Sequence, residues 1–186
     1  TAVRTVHLNM QDMLWDGIKR DRLVWLGDMH TETMTILGAY GDTSLLHKTL
    51  DFIAPITGDG DMNNMVTYTL WWILIQYELY LYSGDLAFLD RHGQYLLHQL
   101  HRFAGAVAED GTFSLPGWVF LDWPTQDNPA RTEAGVRGIL SLTLARGAEM
   151  AEALGETQTA ALCRGAQERL HRIRPQMDDC KNALCF

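Results

Sequence analysis

Cysteine, basic charge and strand-forming runs are all scarce in this chain. Its three cysteines among 186 residues are odd in number and too few for a disulfide framework. Cys163 falls within a helical pattern and reads as core. Cys180 and Cys185 have no second cysteine or histidine cluster near them, so a metal site is not expected there, and no cofactor is indicated. Lys and Arg number 15 against 23 Asp and Glu, a net charge of -8. Such a surface repels phosphate backbones, which excludes nucleic acid as a partner. The chain begins at Thr1 without a charged-then-apolar leader pattern. No run reads firmly as a long strand. The nearest is "TFSLPGWVF", for which the expectation is one short β-hairpin near 112–120 over Pro116-Gly117.

What is present is helix. Asp42-Thr43 reads as a cap, followed by Leu46, Leu50 and Ile53 at helical spacing until Pro55. Met65 to Tyr82 keeps the period through Val66, Leu70, Ile73, Tyr77 and Tyr80, and Ser83-Gly84-Asp85 ends it. A further helix carries Leu89, Leu96, Leu100, Phe103 and Val107. Thr132–Leu154 and Thr157–Arg174 form a last pair joined at Gly155, stopped by Pro175. Short joints make consecutive helices antiparallel, so the expectation is an all-α chain of helical hairpins in series. Met65 to Tyr82 is apolar on all sides, yet Thr67, Thr69, Gln76, Glu78 and its tyrosines argue against a membrane span. An inner helix covered by a second layer fits better. Gly135, Gly138, Gly147 and Ala148 suit close helix packing.

Two irregular stretches interrupt the helices. One, Glu109 to Arg131, is long enough to suggest function, and holds Trp118, Asp122 and Trp123. The other is "DGIKRDRLVWLGD", Asp16 to Asp28. Were it extended, Arg20 and Arg22 would share one face and Asp21 the other. Trp25 offers a flat apolar ring suited to the C–H face of a sugar. Acids beside aromatic rings are what glycoside hydrolysis requires: one carboxylic acid to protonate the leaving oxygen, a second carboxylate to activate water or attack, and further negative charge to support an oxocarbenium-like transition state. Paired with Lys19, Arg20 and Arg22 at a helix start, the same acids would be merely structural. "DGDMNN", Asp59 to Asn64, begins like a calcium loop, but its sixth and twelfth positions are Asn64 and Leu70 where glycine and glutamate belong. It reads as a cap for the helix that follows.

The first motif resembles the signature of the alpha-L-rhamnosidase family, Asp-Gly-Pro-Lys-Arg-Glu-Arg-Leu-Gly-Trp-x-Gly-Asp. Asp16, Gly17, Lys19, Arg20, Arg22, Leu23, Trp25, Gly27 and Asp28 agree with it. "FLDW" at Phe120–Trp123 and "YLYSGDLAFL" at Tyr80–Leu89 are similar to further family features. The resemblance implies an (α/α)6 toroid and inverting hydrolysis of a terminal alpha-L-rhamnoside. It implies Asp21 as general acid, with Asp16 and Asp28 holding sugar hydroxyls and supporting charge. Arg20, Trp25, Asp122 and Trp123 would contact the sugar, and Trp72 or its neighbour Trp71 would face the inner channel.

This chain departs from the pattern at Asp21, which stands where the family has glutamate, at Ile18 for proline and at Val24 for glycine. Glu32, one turn into the next helix, is a second candidate for the acid. A toroid takes about twelve helices, and the chain supplies about half. The expectation is therefore that residues 1–186 form the N-terminal half of a catalytic domain, with the general base elsewhere and the isolated chain inactive. Half a toroid should bare the sides of Met65–Tyr82 and Thr132–Leu154, so the chain should self-associate or belong to a longer polypeptide. Two other readings suit the same residues: a sugar-binding or scaffold protein that kept the pocket, or another toroid enzyme acting on carbohydrate. The expected partner is in each case a carbohydrate, with no membrane contact.

Overall fold

The computed structural model describes residues 1–175; Cys180, Cys185 and the apolar ending at 182–186 lie outside them. Eight α-helices account for most of the described chain: α1 (Ala2–Asn9), α2 (Leu26–Ala39), α3 (Ser44–Thr57), α4 (Val66–Ser83), α5 (Leu86–Arg91), α6 (Gly93–Gly105), α7 (Pro129–Ala153) and α8 (Thr157–Leu170). α4 is the centre, flanked by α2 and α7. α1 lies against α2, α6 against α7 and α8, and α7 against α8. The result is an all-α series of helical hairpins.

The apolar character of α4 on every side follows from its place. Leu70, Trp72, Ile73 and Ile75 are fully buried, as are Thr67 and Thr69. Among the described residues no helix is long and apolar enough to cross a membrane. The chain's own helices cover α4 so completely that its exposed large apolar side chains are Leu81 and Tyr82 in the last turn, and α7 bares Leu142. The broad bare faces expected on these two helices are thus absent. Their outward positions on α7 are taken instead by polar residues such as Glu133, Glu149 and Glu152.

Helix ends follow local chemistry. Gly84 at φ +67° closes α4, and Asp85 accepts the Phe88 N–H at 2.9 Å to start α5. Asn128 caps α7 ahead of Pro129, accepting from Arg131 N at 3.1 Å. At Gly147 a Cβ would lie 2.2 Å from Leu100 Cδ2, so the glycine sets how closely α7 approaches α6.

Four expectations need correction. α3 continues through Pro55 to Thr57, because a proline in the last turn disturbs few remaining helical bonds. The helix expected to carry Leu89, Leu96, Leu100, Phe103 and Val107 is two, broken at His92, and Val107 falls beyond the second. There is no β-hairpin at 112–120: Phe113 makes an isolated bridge to Val107, and Trp118 makes one to Met65 at the entry to α4. Finally, Asn63 caps α2 and not α4. Its carboxamide oxygen accepts from Leu26 N at 3.1 Å and its amide donates to Val24 O at 2.9 Å. Asn63 and Asn64 reach this position with φ of +50° and +60°, a region asparagine tolerates better than most residues.

Candidate active site

The two irregular segments meet over the N-terminal ends of α2 and α4. They enclose a cleft of about 610 Å3 lined by Asp16, Arg20, Asp21, Trp25, Gly27, Asp28, Tyr68, Trp71, Trp118, Phe120, Asp122 and Trp123, among others. Sequence positions more than a hundred residues apart thus share one surface.

The acid-bearing wall is a closed loop and not an extended strand. Asp16 N donates to Leu23 O, and Leu23 N donates to an Asp16 carboxylate oxygen, both at 3.0 Å. Between them Ile18–Asp21 form a turn. Arg22 leaves that turn at φ +54° and donates from Nε to Ile18 O at 3.0 Å. The turn puts Arg20 and Asp21 side by side, with Arg20 Nε 3.3 Å from Asp21 Oδ1, where an extended chain would have parted them. This pair is exposed and correspondingly weak.

Asp28 stands in the first turn of α2. Crowding by protein at the cleft, then the charges of Asp16 and Asp21, hold its carboxyl above the usual carboxylate range, against the opposing pull of its backbone hydrogen bond and of Arg20. One turn on, Glu32 is 8% exposed and accepts from Asn9 Nδ2 at 2.7 Å. Burial raises its pKa to about 7, with Asp28 and Asp16 adding to the effect and the Asn9 bond opposing it. The same Asn9 amide lies 3.4 Å from Asp16 O. Glu32 therefore sits behind the acid wall and is not among the residues lining the cleft.

Trp25 packs edge-on against Tyr68, ring centres 6.0 Å apart. Its indole N–H is closed off from solvent with no acceptor among the described residues. Tyr68 was not singled out by the sequence. Its burial, then Asp28 and Asp16, push the phenol up to about 12, so it stays a neutral hydrogen-bond donor at the cleft. The signal that could have found it is Gly27. A Cβ there would come 2.5 Å from Tyr68 Cε1, so the glycine exists to admit that ring. Trp72, expected at the channel, is fully buried against His92 and Tyr95 at ring distances of 6.0 and 5.0 Å. Its neighbour Trp71 lines the cleft, against His30 at 4.9 Å. One helical step turns the side chain by about 100°, and Trp72 falls on the side away from the cleft, inside the core.

The opposite wall is the strap Gly117–Gln126. Asp122 contributes a carboxylate, but its Oδ1 already accepts from the Thr125 hydroxyl and from Thr125 N, the latter at 2.8 Å. Phe120 bridges Trp118 and Trp123 at 6.3 and 5.0 Å. Among the described residues no three His, Cys, Asp or Glu side chains gather to hold a metal ion.

Comparison with known proteins gives these features a context. The family described as the bacterial alpha-L-rhamnosidase 6 hairpin glycosidase domain matches residues 1–174. No curated protein matches the chain. Among solved structures, a GH78 family rhamnosidase of Bacillus sp. GL1 superposes with a TM-score of 0.75 at 21% identity, over 91% of this chain and 19% of that one. A rhamnosidase from Klebsiella oxytoca with rhamnose bound superposes with a TM-score of 0.68 at 22% identity, over 89% of this chain and 37% of that one. At such identities these likenesses establish the shared helical fold. The chain spans about a fifth of the first structure's length and just over a third of the second's.

Proposed function

Because this chain belongs to the bacterial alpha-L-rhamnosidase six-hairpin glycosidase family, we propose that it forms the acid-bearing half of a catalytic domain that hydrolyses terminal alpha-L-rhamnosides, or a related deoxy-sugar, with inversion. The observation that carries the reading is the convergence of Asp16, Asp21, Asp28 and Asp122 with Trp25 and Trp123 on one cleft. The sugar's apolar face rests on Trp25. Tyr68, Asp28 and the free oxygen of Asp16 meet its hydroxyls, Arg20 borders it, and Asp122 and Trp123 close it from the other wall. Trp72 has no part in this.

Asp21, at the lip of the cleft, protonates the glycosidic oxygen as the bond to the anomeric carbon breaks. Asp16 and Asp28 lie where positive charge develops on the ring and support it. Inversion needs a second carboxylate on the opposite face, roughly 6.5–9.5 Å from the acid, with water between. The cleft's four carboxylates are already assigned, so the base comes from chain beyond these residues. Residues 1–186 alone then bind rhamnose weakly and turn nothing over. A second reading has one observation in its favour: Asp28 is held protonated longer than an ordinary carboxylate, whereas Asp21 lies beside the Arg20 guanidinium. In that reading Asp28 is the donor and Asp21 supports charge.

Kinetics of Asp21→Asn and Asp28→Asn in the full-length polypeptide separate the two. The variant lacking the proton donor loses turnover of rhamnosides with poor leaving groups by roughly a hundredfold or more and spares activated aryl rhamnosides. The variant lacking a charge-supporting group loses both alike. If neither variant changes turnover, the cleft is not the catalytic site.

A further inference from the structure

We propose that Glu32, buried behind the acid wall, is a positioning residue of the cleft: it acts on a bound sugar through Asp16 and Asp28, and it holds its proton more tightly when the cleft is occupied. The inference rests on the carbohydrate reading of the cleft and adds to it a linkage between occupancy and one proton.

The connection is a chain of hydrogen bonds. Asn9, at the end of α1, is 6% exposed, and Glu32 on α2 is 8% exposed. The Asn9 amide donates to Glu32 Oε1 at 2.7 Å and also faces Asp16 O at 3.4 Å. Asn9 O accepts from Trp15 N at 3.1 Å, so its side chain and its main chain both hold the segment Trp15-Asp16. Asp16 passes the contact on. Its carboxylate accepts from Leu23 N and its own N–H donates to Leu23 O, each at 3.0 Å. Asp28 stands four residues before Glu32, on the same face of α2.

A carboxyl in this place does more than hold Asn9. Glutamine would offer Asn9 the same oxygen with no charge to bury. Burial raises the proton affinity of Glu32 most, and Asp28 on its own helix and Asp16 from the loop raise it further, against the Asn9 bond. On α1, Arg4 and His7 are exposed, and His7 lies against Tyr40 at the other end of α2. On α4, Tyr68 faces the same two aspartates and stays neutral. His30 on α2 is held below its ordinary value by burial and packs on Trp71. Glu32 is thus half-ionised at about pH 7, in the field of two carboxylates that line the cleft.

Covering those carboxylates changes the field. A sugar seated on Trp25 displaces water from Asp16 and Asp28, and charges that lose water act more strongly on their neighbours. Their repulsion of a charge on Glu32 grows, so Glu32 takes up a proton as the sugar binds. Reciprocity fixes the converse. If occupancy raises the proton affinity of Glu32 roughly tenfold, rhamnose binds roughly tenfold more weakly once Glu32 is ionised. Affinity is then full below about pH 7 and falls as pH rises beyond it.

Calorimetric titration of the full-length polypeptide with L-rhamnose from pH 6 to 9, in buffers of low and high ionisation enthalpy, reads both the affinity and the protons taken up. The expected result is uptake of about half a proton per rhamnose near pH 7.5, and roughly tenfold weaker binding at pH 9 than at pH 6. Glu32→Gln keeps the acceptor for Asn9 and removes the proton. It should bind rhamnose as tightly at pH 9 as at pH 6, with no uptake. A Glu32 that only braced the loop would alter affinity alike at every pH. Uptake that persists in Glu32→Gln, or absence of uptake in both proteins, overturns the proposal. If rhamnose binds at no pH, the carbohydrate reading fails separately, and thermal unfolding decides the coupling. The Tm difference between the unvaried protein and Glu32→Gln grows with pH and levels off near pH 7. That upper edge should move to lower pH when both proteins carry Asp28→Asn, and an edge that stays in place ends the proposal.

Discussion

The cleft has two walls built on opposite principles. On one, Asp16–Asp28 is dense in charge, and its loop is closed by its own groups, the Asp16 carboxylate on Leu23 N and Arg22 on Ile18 O. On the other, Gly117–Gln126 carries rings; Asp122 closes one turn on Thr125, and the ring-bearing backbone is held by groups outside the strap, Val66 N, the Thr67 hydroxyl and the Thr132 hydroxyl. A wall that works by charge keeps its acids close: burial, then the charges of Asp16 and Asp21, raise the proton affinity of Asp28. A wall that works by apolar contact needs only its backbone fixed and its faces bare. The first is legible as a local motif, and the second becomes meaningful only once α4 is beneath it.

The largest effect comes from disturbing the point where the walls touch. Gly27→Ala drives a methyl group to 2.5 Å from Tyr68 Cε1, and that ring is packed between Trp25 and Phe120. Overpacking of this kind destabilises by about 1–3 kcal/mol, and a shift on the order of 1 Å at the acids lowers turnover by roughly a hundredfold. Urea unfolding and kcat/KM of the full-length protein check both. Gly117→Ala, which strains the strap instead, with a Cβ 2.8 Å from Val66 Cγ2, should destabilise to a similar extent but loosen the strap before the acid wall, read by amide hydrogen exchange. If the two variants loosen both walls identically, the walls are not separable.

Glu32 gives the comparison a pH dependence. Its folded-state pKa of about 7 lies above the ordinary value of 4.5. Below about pH 4.5 both states hold the proton and burial of the carboxyl adds no charge. As pH rises towards 7 the unfolded chain ionises first, so stability falls, and above 7 the full penalty persists. Glu32→Gln keeps an oxygen for Asn9 and removes the charge. It should stabilise the chain by on the order of 2–3 kcal/mol at pH 8 and leave it unchanged at pH 4, read as a Tm difference across pH. Equal shifts at both pH values would mean that Glu32 does not titrate in this range.

These contacts also show what could be read in advance. Helix positions followed from apolar spacing, and the all-round apolar α4 was recognisable as an inner helix because burial on every side leaves no polar face. The acids of the first motif could be named together because they lie within thirteen consecutive residues, Asp16 to Asp28. Asn63 escaped because its partners, Leu26 and Val24, are 37 and 39 residues away. The strap resembled a hairpin because Pro116-Gly117 suits a turn, while its actual partner is the entry to α4. Trp71 and Trp72 are one residue apart, and periodicity in a helix apolar on all sides does not say which points to the cleft. Asn63→Ala tests the first of these: with α2's cap and the Val24 contact both removed, about 1–2 kcal/mol of stability should go. The acid wall, resting on Val24 to Leu26, should loosen before the strap does, measured by amide hydrogen exchange.

The smallest effect distinguishes a hydroxyl that holds the strap from one that holds nothing. Thr67 and Thr33 are both fully buried, on α4 and on α2. The Thr67 hydroxyl donates to Phe120 O, whereas Thr33 Oγ1 has no partner among the described residues. Valine has the shape of threonine without the polar atom. Thr67→Val leaves the Phe120 carbonyl without its donor and should destabilise by about 1 kcal/mol. It should also speed amide hydrogen exchange along the strap, because Phe120 sets the two tryptophans. Thr33→Val removes a buried polar group that gains nothing from its surroundings and should be neutral or stabilising by up to about 1 kcal/mol, with no change in exchange at the strap. Opposite signs in a pair of isosteric changes cannot arise from side-chain volume. If both variants lose stability equally, the Thr67 hydroxyl does not fasten the strap, and the rings of the second wall are held by packing alone.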